Sequence, residues 1–429
     1  MSSLTPATAA ALDGPSWLRA RRDEAALAFA DAALPSPEEE IWRYSRVDQL
    51  EPRSFELADT PATAAPADLN GAVAAPSGVA VLINGRLSEL WLDPELAGRG
   101  VRFSALADLA DGGEQLGRVL GASDDALVLA NSAFAASPLL LSVPRGVRVE
   151  RPFVVAEWGS CPGGAAFSRL IVRAEPGAEL SVVHQQRSDT QRCWLAPVVE
   201  LSAASEARLR YSVVQDLGTA TFQTATVVAE VDQQATVEVT AAAFGGEYAR
   251  FRVDCRMLGR GGSARLAALY FANGDQMMDF RTLQDHRAPD CTSELTFKGV
   301  VDDRSHSVYS GMIRVRPEGR GTNAFQTNRN IKLSDDAWAE SVPNLQIENN
   351  DVRCSHASTV GPIDADQRFY LESRGLPPWV AERLVVSGFL EEVATRLHDP
   401  DVQAQVAAHI DAKLNEATLG AAVGTGAGA

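Results

Sequence analysis

Ala178–Val182 (AELSV) is the stretch that decides the fold, because the chain repeats it. Its counterparts are Ala207–Tyr211 (ARLRY), Ala235–Val239 (ATVEV), Ala264–Ala268 (ARLAA) and Ser293–Phe297 (SELTF), with starts 29, 28, 29 and 29 residues apart. Weaker echoes begin at Thr322 and Asn350. Each copy alternates apolar and polar residues, the period of a strand with one buried face. A strand repeat of this length with no helices between copies points to a solenoid of stacked coils. Closed barrels and sandwiches also space their strands evenly, but they need no such self-similarity. Leu180, Val182, Leu209, Tyr211, Val237 and Val239 are therefore expected to stack as inward ladders.

Outward from the repeat, the texture changes on both sides. Residues 1–135 mix helical and hairpin signals, and residues 136–361 carry the strands. Residues 362–416 are helical, and 417–429 form a Gly/Ala tail expected to be disordered. Ser16–Ala33 has helical spacing, and Glu38–Glu40 is expected to open a second short helix carrying Ile41, Trp42 and Tyr44. Thr60–Gly78 looks like a linker, Val79–Leu92 like a hairpin turning at Asn84-Gly85, and Leu116–Phe134 like a helix. Past Pro362, Asp364 with Gln367 resembles a capping box, Gly375 suits a helix end, and Pro377-Pro378 starts the next helix. This helical segment is expected to cap the open end of the solenoid, to bind another protein, or both.

The chain has 429 residues with 39 Lys plus Arg against 56 Asp plus Glu, a net charge of −17. That balance argues against nucleic acid as a partner. Five cysteines (Cys161, Cys193, Cys255, Cys291 and Cys354) stand far apart without a CxxC pair, so neither a disulfide framework nor a zinc ribbon is expected. The start of the sequence lacks the features of a signal peptide, and no apolar run is long enough to span a bilayer, so a cytoplasmic location is expected. Lysine occurs only at 298, 332 and 413, none after a glycine, so the chain has no nucleotide-cradling P-loop. His184, His286, His306, His398 and His409 read as structural, and no self-sufficient active site emerges.

One pair stands out. In Val352–His356 (VRCSH) a strand would put Cys354 and His356 on one face and Ser355 on the other. Thiol and imidazole can share a soft or borderline metal, although two ligands do not close a site. If Asn350 aligns with Ala178, Cys354 takes the inward place of Val182, which equally suits a packed core.

The stretch around this pair, TNRNIKLSDDAWAESVPNLQIENNDVRCSHASTVGPIDADQRFYLESRG, resembles the SufB/SufD family of iron–sulfur cluster assembly proteins, most closely its SufD branch. Leu34–Leu50 (LPSPEEEIWRYSRVDQL) resembles the N-terminal pattern of that branch. The resemblance implies a right-handed parallel β-helix flanked by helical domains, acting as a non-catalytic scaffold. It implies pairing with a SufB-like paralogue through the β-helices and a SufC ATPase held by the C-terminal helical domain, and it leaves a homodimer open for the chain in isolation. It implies a transient iron–sulfur cluster shared with that partner, with His356 and Cys354 as ligands at the interface and no nucleotide bound by this chain. Phe369, Tyr370, Arg374 and Gly375, in the FYL-x-SRG part of the motif, are carried over as partner-binding residues. Ala357 stands where the family usually has Gly, and LSDDAWAESVPNL lacks the cysteine that SufB carries there. Two readings from other classes are a carbohydrate-active β-helix enzyme and a purely structural solenoid.

Overall fold

A computed structural model describes residues 2–59, 61–71 and 73–417. The tail expected at 417–429 lies outside them from residue 418 onward.

Strands from Leu139 to Gly361 alternate between two sheets, with the first sheet's strand split in two early coils (Gly164–Ala166 with Arg169–Ala174, and Cys193–Leu195 with Val198–Ala203), and parallel pairing joins each coil to the next. The first sheet runs through Val198–Ala203, Thr221–Val231, Tyr248–Met257, Met277–His286, His306–Val315 and Trp338–Ile347. The second runs through Glu179–Ser188, Arg208–Asp216, Thr236–Ala243, Ser263–Ala272, Thr292–Val301, Asn323–Lys332 and Arg353–Gly361. The β-solenoid read from the repeat is the architecture found. Its interior is one continuous apolar core that includes Leu180, Val182, Leu209, Tyr211, Val237 and Val239, each 0–1% exposed.

The register corrects the sequence alignment in three coils. Leu180, Leu209, Val237, Ala264, Ser293, Ala324 and Cys354 form one ladder, and Val182, Tyr211, Val239, Leu266, Leu295, Gln326 and His356 form the next. Val237 pairs with Ala264, two residues sooner than the match of Ala235 to Ala264 requires, whereas Ser293 pairs with Ala324 and Ala324 with Cys354, each two residues later than the echoes at Thr322 and Asn350 require. Cys354 therefore continues the Leu180 ladder, and His356 occupies the place given to Cys354. A slip of two keeps every side chain on its face, so the inward assignment survives.

The flanks differ from expectation in detail. Ser16–Asp31 is helical, but Glu40–Trp42 forms only a 3₁₀ turn, and the helix expected over Leu116–Phe134 is confined to Ala126–Phe134. The hairpin Gly78–Ile83/Arg86–Leu92 turns through Asn84 and Gly85, both left-handed (φ 50° and 74°). That is the geometry its Asn-Gly favours. An aromatic chain from Phe29 through Phe134 and Phe167 to Trp194 fastens the N-terminal helices to the outside of the first sheet. The helices Pro378–Ala394 and Pro400–Glu416 bury Val386, Leu390, Val393, Val402, Val406 and Ile410 against Ala242, Phe244, Leu269 and Val300 of the second sheet. They lie along a flank of the solenoid and do not cap its end.

Candidate functional site

The two ends of the solenoid are unlike. At the first, Arg86–Leu92 and Arg102–Ala105 pair antiparallel with the opening strands, and Leu96, Val101 and Phe103 plug the interior. At the second, Trp338–Ile347 pairs only with His306–Val315, and Arg353–Gly361 only with Asn323–Lys332. Beyond them no further strand follows among the described residues. Leu345, Ile347 and Val360 stand at inward positions, which the coils below bury completely, yet they are 38%, 41% and 40% exposed. An edge of this length, apolar on its inner face, is a template for another chain.

His356 and Cys354 lie on this mouth, on the same inward face as expected, but in different environments. Cys354 is half-buried and packs with Val352 over Ile313, Val315 and Ala324. Burial pushes its thiol up, only partly offset by the Ala324 backbone, and a protonated thiol is a poor ligand. His356 is exposed and, among the described residues, makes no hydrogen bond or ion pair. The other five histidines are all engaged. His184 bonds the Tyr211 hydroxyl at 2.7 Å, His286 bonds Ser293 at 2.8 Å, and His306 meets Arg46 at 3.2 Å. His398 pairs with Glu238 at 2.5 Å, and His409 stacks on Phe244. The free imidazole is therefore the accessible donor, and the thiol forms part of the wall beside it. Among the described residues no group of three or more His, Cys, Asp or Glu side chains is placed to hold a metal ion. Two donors on one strand fit a cluster only if other chains supply the rest.

The strand Arg353–Gly361 leads directly into the helix Ala365–Ser373, N-capped by the Asp364 carboxylate, which accepts from the Asp366 and Gln367 amides at 2.9 Å. This helix buries none of its residues, and Phe369 and Tyr370 are 70% and 57% exposed. An ion pair between Arg368 and Glu382 at 3.1 Å ties it to the next helix. The Arg374 guanidinium lies 5.2 Å from the Tyr370 ring centroid, and Gly375 ends the helix at φ 91°. Between this helix, Pro378–Ala394 and the last strands lies a cleft of about 860 Å³ lined by Lys298, Arg329, Thr359, Tyr370 and Phe389. The structure thus groups the four motif residues on one exposed helix end beside the mouth.

The last coils, the open mouth and the helix after it lie within a stretch that matches a known family. Residues 157–389, more than half of the chain, match the family described as SUF system FeS cluster assembly, SufBD core domain. The chain belongs to the SufB/SufD family. It is similar to an iron–sulfur cluster assembly SufBD family protein of Mycobacterium bovis, 35% identical over 286 residues that cover 65% of this chain and 71% of that one. It is also similar to the iron–sulfur cluster assembly protein SufD of Escherichia coli, 32% identical over 170 residues, 40% of each chain. A third relative, the chloroplastic protein ABCI7 of Arabidopsis thaliana, is 26% identical over 409 residues, 91% of this chain and 84% of that one. Membership in SufB/SufD places the chain in iron–sulfur cluster assembly. Among the described residues no helix is long and apolar enough to cross a membrane.

Sequence reading missed the polar nodes that tie the flanks to the solenoid. Asp279, fully buried, accepts from Arg250 at 2.8 Å, Arg281 at 2.5 Å and the Tyr248 hydroxyl at 2.7 Å. Arg250 lies 3.6 Å over the Trp42 ring and donates to the Ile41 carbonyl, and Arg281 donates to the Arg43 carbonyl. The EIWRY part of the N-terminal motif is therefore held by one buried carboxylate. The available signal was the 29-residue spacing of Arg250 and Asp279, which places them side by side in adjacent coils.

Proposed function

We propose that this SufB/SufD-family chain is a scaffold subunit of a SUF iron–sulfur cluster assembly complex, of the SufD type, working in the cytoplasm and not itself an enzyme. Its solenoid mouth pairs with the corresponding edge of a SufB-like paralogue, and its C-terminal helical domain holds a SufC-type ATPase. The observation that carries this reading is the open end, where Leu345, Ile347, His356 and Val360 occupy core positions but face solvent. A second solenoid edge would bury those side chains and satisfy the unpaired backbone groups together. Burying each of the three aliphatic side chains more fully would contribute on the order of 1 kcal/mol.

The nascent cluster is the cargo of such a complex. His356 offers an imidazole lone pair at the seam, Cys354 supports the strand beneath it, and the remaining ligands come from the partner. Phe369, Tyr370, Arg374 and Gly375 lie on the helix that leads from the mouth into the helical domain. That position suits a segment transmitting movement of the ATPase to the seam. The missing P-loop agrees, because the nucleotide belongs to another subunit. Without a partner, the same edge can pair with a second copy of the chain.

The test is co-expression with the SufB-like and ATPase subunits, comparing wild type with a Leu345→Arg/Val360→Arg double variant by sizing. Both positions are exposed, so the free chain should fold normally. Pairing should be lost, and a complex formed as readily as in wild type would remove the open end from the interface.

A further inference from the structure

The interior of the solenoid changes character just below the mouth. From Val182 through Tyr211, Val239 and Leu266 to Leu295 one inward ladder is lined mainly by apolar side chains, and then Gln326 takes the next rung directly beneath His356. Gln326 is 1% exposed, and both atoms of its amide lack a hydrogen-bond partner among the described residues. In the last coils the Ser307 and Ser341 hydroxyls and the Asn328 amide nitrogen are also buried without hydrogen-bond partners among the described residues. In the same coils Tyr270 donates to Asn330 at 2.5 Å and Asn330 to Asn328 at 2.9 Å. Space for the Gln326 amide comes from Gly311, where any Cβ would collide with that amide and with the Tyr309 hydroxyl.

Buried polar atoms are rarely left unpaired, and each such atom calls for an explanation. A leucine at 326 would simply have continued the ladder. What an amide adds is an acceptor and a donor one strand spacing, about 4.8 Å, below an imidazole on the same face. An imidazole that ligates a metal through one nitrogen carries its proton on the other, and that N–H characteristically donates to a fixed acceptor. We propose that Gln326 is the positioning residue for His356. In the assembled complex its Oε1 accepts from the imidazole N–H, a bond the free chain does not make, which turns the remaining lone pair out of the mouth, while its Nε2 lies toward the Tyr309 hydroxyl. This inference rests on the scaffold reading, in which His356 is a ligand, and adds to it the residue that sets the ring's tautomer and direction.

Gln326→Met keeps the side-chain length and removes the acceptor, and Gln326→Glu keeps an acceptor in place. His356→Ala is run in parallel. Complexes co-expressed with the SufB-like and ATPase subunits are checked by sizing and reconstituted anaerobically with iron and sulfide. Complexes in which this chain alone carries nitrogen-15 histidine report the tautomer of His356 at pH 8.5, with the isolated chain as the reference for a free imidazole. Gln326→Met should melt no lower than wild type, shift the His356 ring signals toward an even tautomer mixture, and lower cluster loading roughly tenfold or more. Gln326→Glu should restore loading. If His356→Ala loses loading while Gln326→Met does not, the positioning role is wrong and the scaffold reading stands. Unchanged ring signals in a Gln326→Met complex that loads poorly would make Gln326 a packing residue and also overturn the proposal. If His356→Ala itself loads like wild type, the ligand reading falls first and Gln326 has nothing to position.

Discussion

Replacing Asp279 by alanine should detach the N-terminal segment from the solenoid. The carboxylate is completely buried and receives three hydrogen bonds, two of them from guanidiniums that also hold the Ile41 and Arg43 carbonyls. Removing it leaves Arg250 and Arg281, 3% and 6% exposed, without their counter-charge. Deleting one member of a buried ion pair costs about 3–5 kcal/mol, most of it the penalty of the orphaned charge. If the segment opens locally, the opening constant rises by roughly two to three and a half orders of magnitude. Hydrogen exchange reads this directly at the amides of Trp42 and Ser45, which bond to the Glu39 and Trp42 carbonyls. Asp279→Asn keeps an acceptor for Tyr248 and should fall between the two. Acid should act the same way. Burial alone would raise the carboxyl, but Arg250, Arg281 and Tyr248 outweigh it and hold it below the usual carboxylate range. Its stabilisation is thus complete above the unfolded-state value near pH ~4 and is lost as pH falls through the lower folded-state value. A change of less than about tenfold in exchange at Trp42 and Ser45 in Asp279→Ala would refute the assignment of this carboxylate as the anchor.

Glu200 gives a second test of the same physics. Fully buried, it accepts from the Gly117, Val119 and Leu120 amides at 2.8–3.0 Å and pairs with Arg169 at 2.7 Å, so Glu200→Ala should cost about 3–5 kcal/mol. It should also make Gly117–Gly121 the first site of proteolysis, whereas an unchanged cleavage pattern would contradict the role. Glu238 clips the helical domain to the solenoid: a hydrogen bond from His398, opposed by burial and helped by the His398 charge, a hydrogen bond from Arg265 and the Arg210 charge, lowers its carboxyl to about 2. Because this folded-state value is depressed, the clip should be intact above pH ~4.5 and lost progressively toward pH 2. Exchange at Leu397–Val402 should follow that window, and Glu238→Gln should flatten it.

The legible part of the fold was the part governed by period. Alternation plus a repeat near 29 residues requires stacked strands, and the inward ladders from Leu180 to Val239 follow from parity alone. The register of the later coils was less legible, because inward positions recur every two residues and the matches at Ala264, Ser293 and Asn350 sit equally well in a frame two residues off. That ambiguity moved Cys354 and His356 one rung along the strand but left them on the correct face. Leu116–Phe134 was overextended because its apolar content reflects burial of a loop held by Glu200 as well as a helix. Glu38–Glu40 did not nucleate a full helix because Arg250 and Arg281 capture the carbonyls of Ile41 and Arg43 that would have continued it. At the site, pattern identified the Cys354–His356 pair but not the difference between them, since exposure depends on which coil is last. Gln326 and Asp279 were invisible for a related reason. Each matters through a neighbour some 30 residues away, which only the register makes adjacent.

Hydrogen exchange on Trp338–Ile347 and Arg353–Gly361, free and in the complex with the SufB-like and ATPase subunits, tests the central claim most directly. In the free chain both strands have one unpaired edge, so alternate amides should exchange quickly. In the complex those amides should become protected in both strands together, as the mouth is covered. Protection confined to the N-terminal flank or to Pro378–Glu416, with the two edges exchanging as before, would contradict the account.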